Sequence, residues 1–209
     1  SKLTATALKG RLADQEAAAG APAAPRRQEF RRPCFLAERP LSPTERGTAL
    51  HLALQFLDLS ACAAPGGLEK ELQRLGAQRF LSPAQLATIQ PERIRAFLQS
   101  PLGCRLLSAP YVTREFKFSL LTGAAAYFPE SAGEQILLQG VVDCAFLENS
   151  KLTIIDFKTD YVTKLTQATR AAHYRIQLET YAAALQRITA LPIGHKFLYF
   201  FATGEAVEV

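Results

Sequence analysis

Two β-rich segments carry residues whose types and spacing suit phosphate chemistry. "GVVDCA" (140–145) sets Asp143 among apolar neighbours, and "TIIDFK" (153–158) places Asp156 and Lys158 two residues apart. Side chains alternate between the faces of a strand, so Asp156 and Lys158 share a face that Leu152 and Ile154 continue. By the same rule Asp143 shares its face with Val141 and Ala145. Carboxylates and ammonium groups are costly to bury unless paired or bound to a cation. If the two segments pair as a hairpin, Asp143 and Asp156 converge beside an ammonium group. That arrangement is a cation site with a positive group left for a water or a phosphate. Mg2+ or Mn2+ takes oxygen ligands and keeps several waters. Such an ion activates water and neutralises charge on a phosphodiester.

The elements that must position these residues are readable around them. "QILLQGVVDCAFL" (135–147) and "KLTIIDF" (151–157) are β-rich, and "ENS" (148–150) between them is a hairpin signal. "YVTREFKFSLL" (111–121) alternates, with Val112, Arg114, Phe116 and Phe118 on one face and Glu115 and Lys117 on the other. Upstream, "SPTERGTALHLALQFLDL" (42–59) predicts a helix: Ser42 is its N-cap, Pro43 its first residue, and Glu45 completes a capping box. Leu50, Leu54 and Leu57 form its apolar stripe. Shorter helices are predicted over 3–13, 67–78, 82–89, 91–100 and 101–108. Residues 174–188 predict a helix with Tyr174, Leu178, Tyr181, Leu185 and Ile188 in one stripe, and 195–203 a closing strand. The order is helices, three strands, a helix and a strand. It predicts an α/β (α+β) fold, a mixed central sheet flanked by helices, with a helical amino-terminal portion.

Composition bounds the rest. The 209 residues are 48% hydrophobic and 21% charged, which fits one globular domain. No apolar run reaches the roughly 18 residues that span a bilayer, so no membrane partner is expected. Residues 13–25 are rich in Ala and Pro and read as a linker rather than a signal peptide; a cytoplasmic location is expected. The net charge of +5 is uneven: residues 1–50 hold nine Lys/Arg against five Asp/Glu, and 51–209 fifteen against fourteen. A basic arm with "RRQEFRR" (26–32) fits either nucleic acid or a solvated linker. Cys34, Cys62, Cys104 and Cys144 form no C-x-x-C pair, which argues against structural zinc. Methionine is absent, and a piece of a longer chain is expected. We divide it into an arm and linker (1–41) and a domain (42–209), helical over 42–110 and carrying the chemistry over 111–209.

"GVVD" (140–143), "DFKT" (156–159) and "QLETY" (177–181) resemble the G-x-x-D, D-x-K-T and Q-x-x-x-Y motifs of the RecB-like nucleases, within the wider PD-(D/E)xK fold. "RGTALH" (46–51) is similar to that family's histidine motif. With the helices before them, "REFKF" (114–118) and the opening "KLTATALK", they look most like the carboxy-terminal nuclease domains of AddA-type helicase–nucleases, over nearly the whole chain. The resemblance implies a restriction-endonuclease-like core in which His51, Asp143 and Asp156 ligate Mg2+ or Mn2+ with the backbone carbonyl of Phe157. It implies that Lys158 orients or deprotonates the attacking water and stabilises charge on the phosphate. Gln177 and Tyr181 would support the lysine or contact DNA, and Glu115 would be a first-strand acid. Implied partners are single-stranded DNA fed by a helicase motor, the remainder of an AddA-like chain and an AddB-like subunit, in double-strand break processing by an exonuclease. Some relatives carry a four-cysteine iron–sulfur cluster; no cysteine follows Cys144 here, and none is expected. Nor does a G-x-x-x-x-G-K-[ST] loop occur, so the ATP-driven motor is not in this chain.

Taken singly, these residues have plainer readings. Asp156 and Lys158 fit an ion pair on a half-exposed strand. His51 fits a hydrogen-bonded core histidine, since imidazole is an unusual ligand for Mg2+. Two rival functions follow: an inactive nuclease fold kept for DNA binding or scaffolding, and a stand-alone CRISPR-type nuclease. The first would be expected to have lost Asp156 or Lys158.

Overall fold

The computed structural model describes residues 2–4, 40–124 and 133–209. The linker, the basic run at 26–32 and Cys34 lie outside the described residues. Helix α1 (Pro43–Phe56) starts as its sequence directs: the Ser42 side chain accepts the Glu45 N–H and Glu45 answers the Ser42 N–H. A cap of this kind is worth about 1 kcal/mol. Its C-terminal carbonyls are held from two sides. Arg74 donates to Phe56 O at 2.8 Å, and Arg114 donates to Leu54 O at 2.9 Å and to Leu57 O. Guanidinium groups there satisfy orphan carbonyls and oppose the negative end of the helix dipole.

A series of shorter helices follows: α2 (Leu59–Cys62), α3 (Gly67–Ala77), α4 (Pro83–Leu86), α5 (Pro91–Gln99) and α6 (Pro101–Leu107). Ser82 and Gln85 form a second capping box, and proline opens α4, α5 and α6. The strands are β1 (Lys2–Thr4), β2 (Val112–Gly123), β3 (Gln135–Glu148), β4 (Lys151–Lys158), β5 (Ile193–Phe200) and β6 (Glu205–Glu208); α7 (Gln167–Thr189) lies between β4 and β5. They form one mixed sheet in the order β1-β3-β4-β5-β6, with β2 paired to β3. The β1–β3 and β4–β5 pairs are parallel, and the β2–β3, β3–β4 and β5–β6 pairs are antiparallel. The β3–β4 hairpin turns on Asn149 and Ser150, both at positive φ as a tight two-residue turn requires.

The sheet separates two apolar layers. On one face Cys144, Phe146, Ile155, Phe157 and Tyr199 pack under the helices α1–α6. On the other, Phe118, Val142, Ala145, Ile154 and, farther along, Leu198 and Phe200 pack under α7. β4 is therefore buried on both faces.

Several sequence expectations are corrected here. The helix expected from residue 3 is instead strand at Leu3–Thr4, where the chain completes an edge of β3; its continuation lies outside the described residues. β6 was not anticipated. Ile188 ends the expected α7 stripe at 43% exposure, near the end of the helix. Val112 and Arg114 do not share a face with Phe116 and Phe118: the first pair meets the helical layer and the second the α7 layer. Glu115 lies between them at φ 51, and this left-handed residue reverses the alternation. β3 changes parity at the same level, packing Val142 and then Ala145 against α7, so Asp143 does not continue the face of Ala145.

Candidate metal centre and active site

β2 runs the full length of one edge of β3. The other edge is shared: β4 pairs with Cys144–Glu148 and β1 with Leu137–Gln139. Gly140–Asp143 falls between them and has no ladder partner on that edge among the described residues. The G-x-x-D segment is thus an opening in the sheet. Where the β3–β4 ladder stops, the Phe157 N–H donates to Asp143 Oδ2 at 2.8 Å. In a strand the N–H and C=O of one residue point to the same edge, so the Phe157 carbonyl faces this opening too. Gly140 is needed for packing: a Cβ there would lie 2.5 and 2.7 Å from the Phe118 ring and 3.2 Å from Tyr181.

α1 delivers His51 from the helical side. Gly47, one turn earlier, lets the helix approach the end of β4: a Cβ at residue 47 would sit 2.8 Å from Thr159 Oγ1. His51 Nδ1 then lies 3.5 Å from Asp143 Oδ1. Burial lowers the imidazole pKa, but the Asp143 hydrogen bond and the charges of Asp143, Asp156 and Glu115 outweigh it and hold the value above normal. The reversal at Glu115 turns its carboxylate to the same point. One ligand atom each from His51, Glu115 and Asp143 lie within 4.8 Å of one another.

Asp156 and Lys158 occupy the α7 side of β4. Asp156 is buried, and its Oδ2 pairs with the Lys158 ammonium. Lys158 Nζ also contacts Gln177 Oε1 at 3.4 Å and lies 3.8 Å from the centroid of the Tyr174 ring. Gln177 Nε2 donates to the Tyr181 hydroxyl at 2.7 Å, which turns the amide oxygen toward the lysine. Tyr174, Gln177 and Tyr181 follow i, i+3, i+7 spacing and form one face of α7. The Tyr174 hydroxyl bonds Asp160, which Arg170 Nε also reaches at 2.8 Å.

His51, Asp143, Asp156, Lys158, Gln177 and Tyr181 line one cleft of about 670 Å3. Burial first, then Asp143, pushes the Asp156 carboxyl above the usual carboxylate range, against the pull of Lys158 and His51. Burial and Asp143 raise Glu115 in the same way. Burial leads each shift, and the neighbouring Asp143 carboxylate adds to it. The donor set therefore fits a divalent ion: an imidazole nitrogen, two convergent carboxylates, and the buried Asp156 carboxylate in the same cleft.

Of the eight residues singled out from sequence, all but Glu115 line the cleft, and Glu115 joins His51 and Asp143 at its metal-ligand cluster. Asp156 faces Lys158 more closely than that cluster. Sequence reasoning missed Tyr174 and Asp160 as site residues. The helical spacing of Tyr174 to Gln177 and Tyr181 was a usable signal, read only as an apolar stripe.

Residues 23–207 match the family model described as the PD-(D/E)XK nuclease superfamily. Among similar proteins are ATP-dependent helicase/nuclease subunits A. That of Clostridium botulinum (strain 657 / Type Ba4) is 33% identical over 187 residues, 87% of this chain and 14% of the relative. That of Desulforamulus reducens is 37% identical over 182 residues, 85% of this chain and 14% of the relative. The chain thus spans 14% of the length of these curated relatives. The matched span holds β2–β5, the carboxylates and the lysine just described, and by that match the chain belongs to the PD-(D/E)XK nuclease superfamily.

Proposed function

We propose that this chain is a divalent-metal-dependent DNA nuclease domain of an AddA-like helicase–nuclease, hydrolysing phosphodiester bonds during the end processing of double-strand breaks. The observation that carries the reading is the meeting of Asp156 and Lys158 with the His51–Glu115–Asp143 cluster in one cleft. His51, Asp143 and Asp156 would hold the ion, with the Phe157 carbonyl, and Glu115 converges with His51 and Asp143 to offer a further carboxylate. When bound, Mg2+ or Mn2+ supplies Lewis acidity at the phosphate and offsets the charge of the transition state.

The chain's own groups do the rest. Lys158, steadied by Gln177 Oε1 and the Tyr174 ring, orients a water for in-line attack on phosphorus. Its ammonium donates to a non-bridging oxygen as charge builds there. The water oxygen forms the new bond to phosphorus and gives up a proton to solvent, the bridging P–O bond breaks, and the leaving oxygen takes a proton from solvent. Tyr181 keeps Gln177 aligned, and Asp156 keeps Lys158 in place.

The substrate in this reading is single-stranded DNA, delivered by a motor on the remainder of a longer AddA-like chain that works with an AddB-like subunit. None of the described helices is long and apolar enough to cross a membrane. Labelled single-stranded DNA incubated with and without Mg2+ or Mn2+, beside Asp156→Ala, tests the proposal. Cleavage is expected only for the wild type with metal; a wild type inert with both ions sinks it.

A further inference from the structure

The cleft has a rim that the chemistry above does not use. In the loop between β4 and α7, Tyr161 is 94% exposed. The residues on either side of it are anchored. Asp160 is bonded by Arg170 and Tyr174, and Val162 is buried among Ala171, Leu178 and Phe200. Both line or adjoin the site, so Tyr161 is an aromatic ring displayed on a fixed piece of backbone. Folding gains little from that ring, which is almost wholly exposed between two anchored neighbours. It follows Lys158 by three residues, which limits its Cα to within about 10 Å of the lysine's.

Across the cleft, β2 presents Lys117. Its ammonium is exposed, lines the same cleft, and its charge is felt at Glu115. Its backbone is fixed opposite Val141 in the long β2–β3 ladder. The cleft therefore has a solvated cation on the β2 side, and an exposed aromatic ring stands next to the cleft-lining Asp160 on the loop that leaves β4.

We propose that a single polynucleotide strand crosses this cleft with one phosphate held by Lys117 and a neighbouring base stacked on Tyr161. The inference rests on the nuclease reading above and gives its substrate a path. A phosphate contact carries no sequence information, and any base can stack on a phenol ring. The path therefore suits strands of any sequence, drawn through the cleft in single-stranded form. A duplex keeps its bases inside the stack, where Tyr161 cannot reach their faces.

The test uses the 209-residue chain in EDTA, with binding of fluorescein-labelled oligodeoxythymidylate followed by anisotropy over a salt series. Tyr161→Ala should weaken binding by at least ~5-fold, the scale of one lost base stack, with the salt slope unchanged. Tyr161→Phe should bind as the wild type does. Lys117→Gln should reduce the slope of log K against log salt by about 0.7, one single-strand phosphate. Photolysis with 5-iododeoxyuridine in the strand should cross-link Tyr161. Tyr161→Ala binding like the wild type, an unchanged slope for Lys117→Gln, or no strand binding at all would overturn the path. So would cross-linking that maps elsewhere, as expected if Tyr161 is instead a docking point for another part of a longer protein. Cleavage with Mg2+ or Mn2+ is scored separately. A chain that cleaves but binds all variants alike loses the path and keeps the nuclease reading; one that shows the path without cleavage loses only the latter.

Discussion

Asp143 Oδ2 accepts the Phe157 backbone N–H at 2.8 Å, so a carboxylate stands where a strand partner would otherwise be. The same side chain serves the ladder and the cluster with His51 and Glu115. Asp143→Asn keeps an acceptor oxygen but removes the charge. Its melting temperature without metal should hold or rise, because Asp156 loses a repulsive neighbour, while Mn2+ affinity should fall at least ~10-fold. Asp143→Ala orphans the Phe157 N–H and should cost about 1–3 kcal/mol. Calorimetry with and without Mn2+ separates the two; equal Mn2+ affinity in Asp143→Asn would remove Asp143 from the metal site.

Lys158→Ala should separate binding from chemistry. Mn2+ affinity should stay near that of the wild type, and cleavage should drop at least ~10²-fold, because the ammonium acts on charge that develops in the transition state. Gln177→Ala frees the ammonium from one of its contacts and should give a smaller loss. Single-turnover cleavage at saturating metal reads both effects. Normal cleavage by Lys158→Ala would reduce the pair with Asp156 to a structural ion pair.

Gly47→Ala sets two effects against each other. Alanine is favoured in a helix interior by about 1 kcal/mol, yet its Cβ would fall 2.8 Å from Thr159 Oγ1. Either the Thr159 hydroxyl turns aside or α1 withdraws, carrying His51 with it. We expect a small change in melting temperature and a clear loss of Mn2+ affinity, recovered in Gly47→Ala/Thr159→Gly. A double-mutant cycle by isothermal titration measures the coupling; no coupling would show that Gly47 does not set the approach.

The pH dependence of the metal-free fold has a definite sign. Asp156, Glu115 and His51 all have raised values, so the folded chain holds more protons than the unfolded chain and stability falls as pH rises through these groups. For the carboxyls the decline begins at their ordinary values, 3.8 and 4.5; for His51 it begins at 6.5 and runs to its raised value. Glu71 and Glu148 act oppositely: Arg74 and Arg105 hold them low, so their contribution is lost as pH falls below 4.5. The metal-free melting temperature should therefore peak in mildly acid solution and decline through neutrality. The stabilisation by Mn2+ should grow over the same range, because ligands must be deprotonated to bind. A metal-free melting temperature that rises through neutrality would contradict these assignments.

Local pattern made much of this legible in the sequence. The capping box of Ser42 and Glu45, the hairpin after Glu148, and the shared face of Asp156 and Lys158 need only near neighbours in sequence. The site's decisive geometry is not local. Glu115 joins His51 because one left-handed residue reverses a strand, and no alternation rule anticipates that. β1 has too few residues to show a period, and its partner lies far along the chain. Tyr174 fitted the apolar stripe so well that its place over the Lys158 ammonium went unread.

The opening at Gly140–Asp143 has unequal borders. Above it, β4 is tied to β3 by a two-residue turn, so that border forms early and opens only with the core. Below it, the three register pairs of β1 join residues 135 positions apart in sequence, from Lys2 to Leu137. So few pairs repay little of the entropy of closing so long a loop. In native-state hydrogen exchange, the amides of β3 that face β1 should therefore open at far lower free energy than those facing β4. The cleft is hinged on one firm lip and one soft one, and it can lengthen along β3 while the carboxylates keep their places.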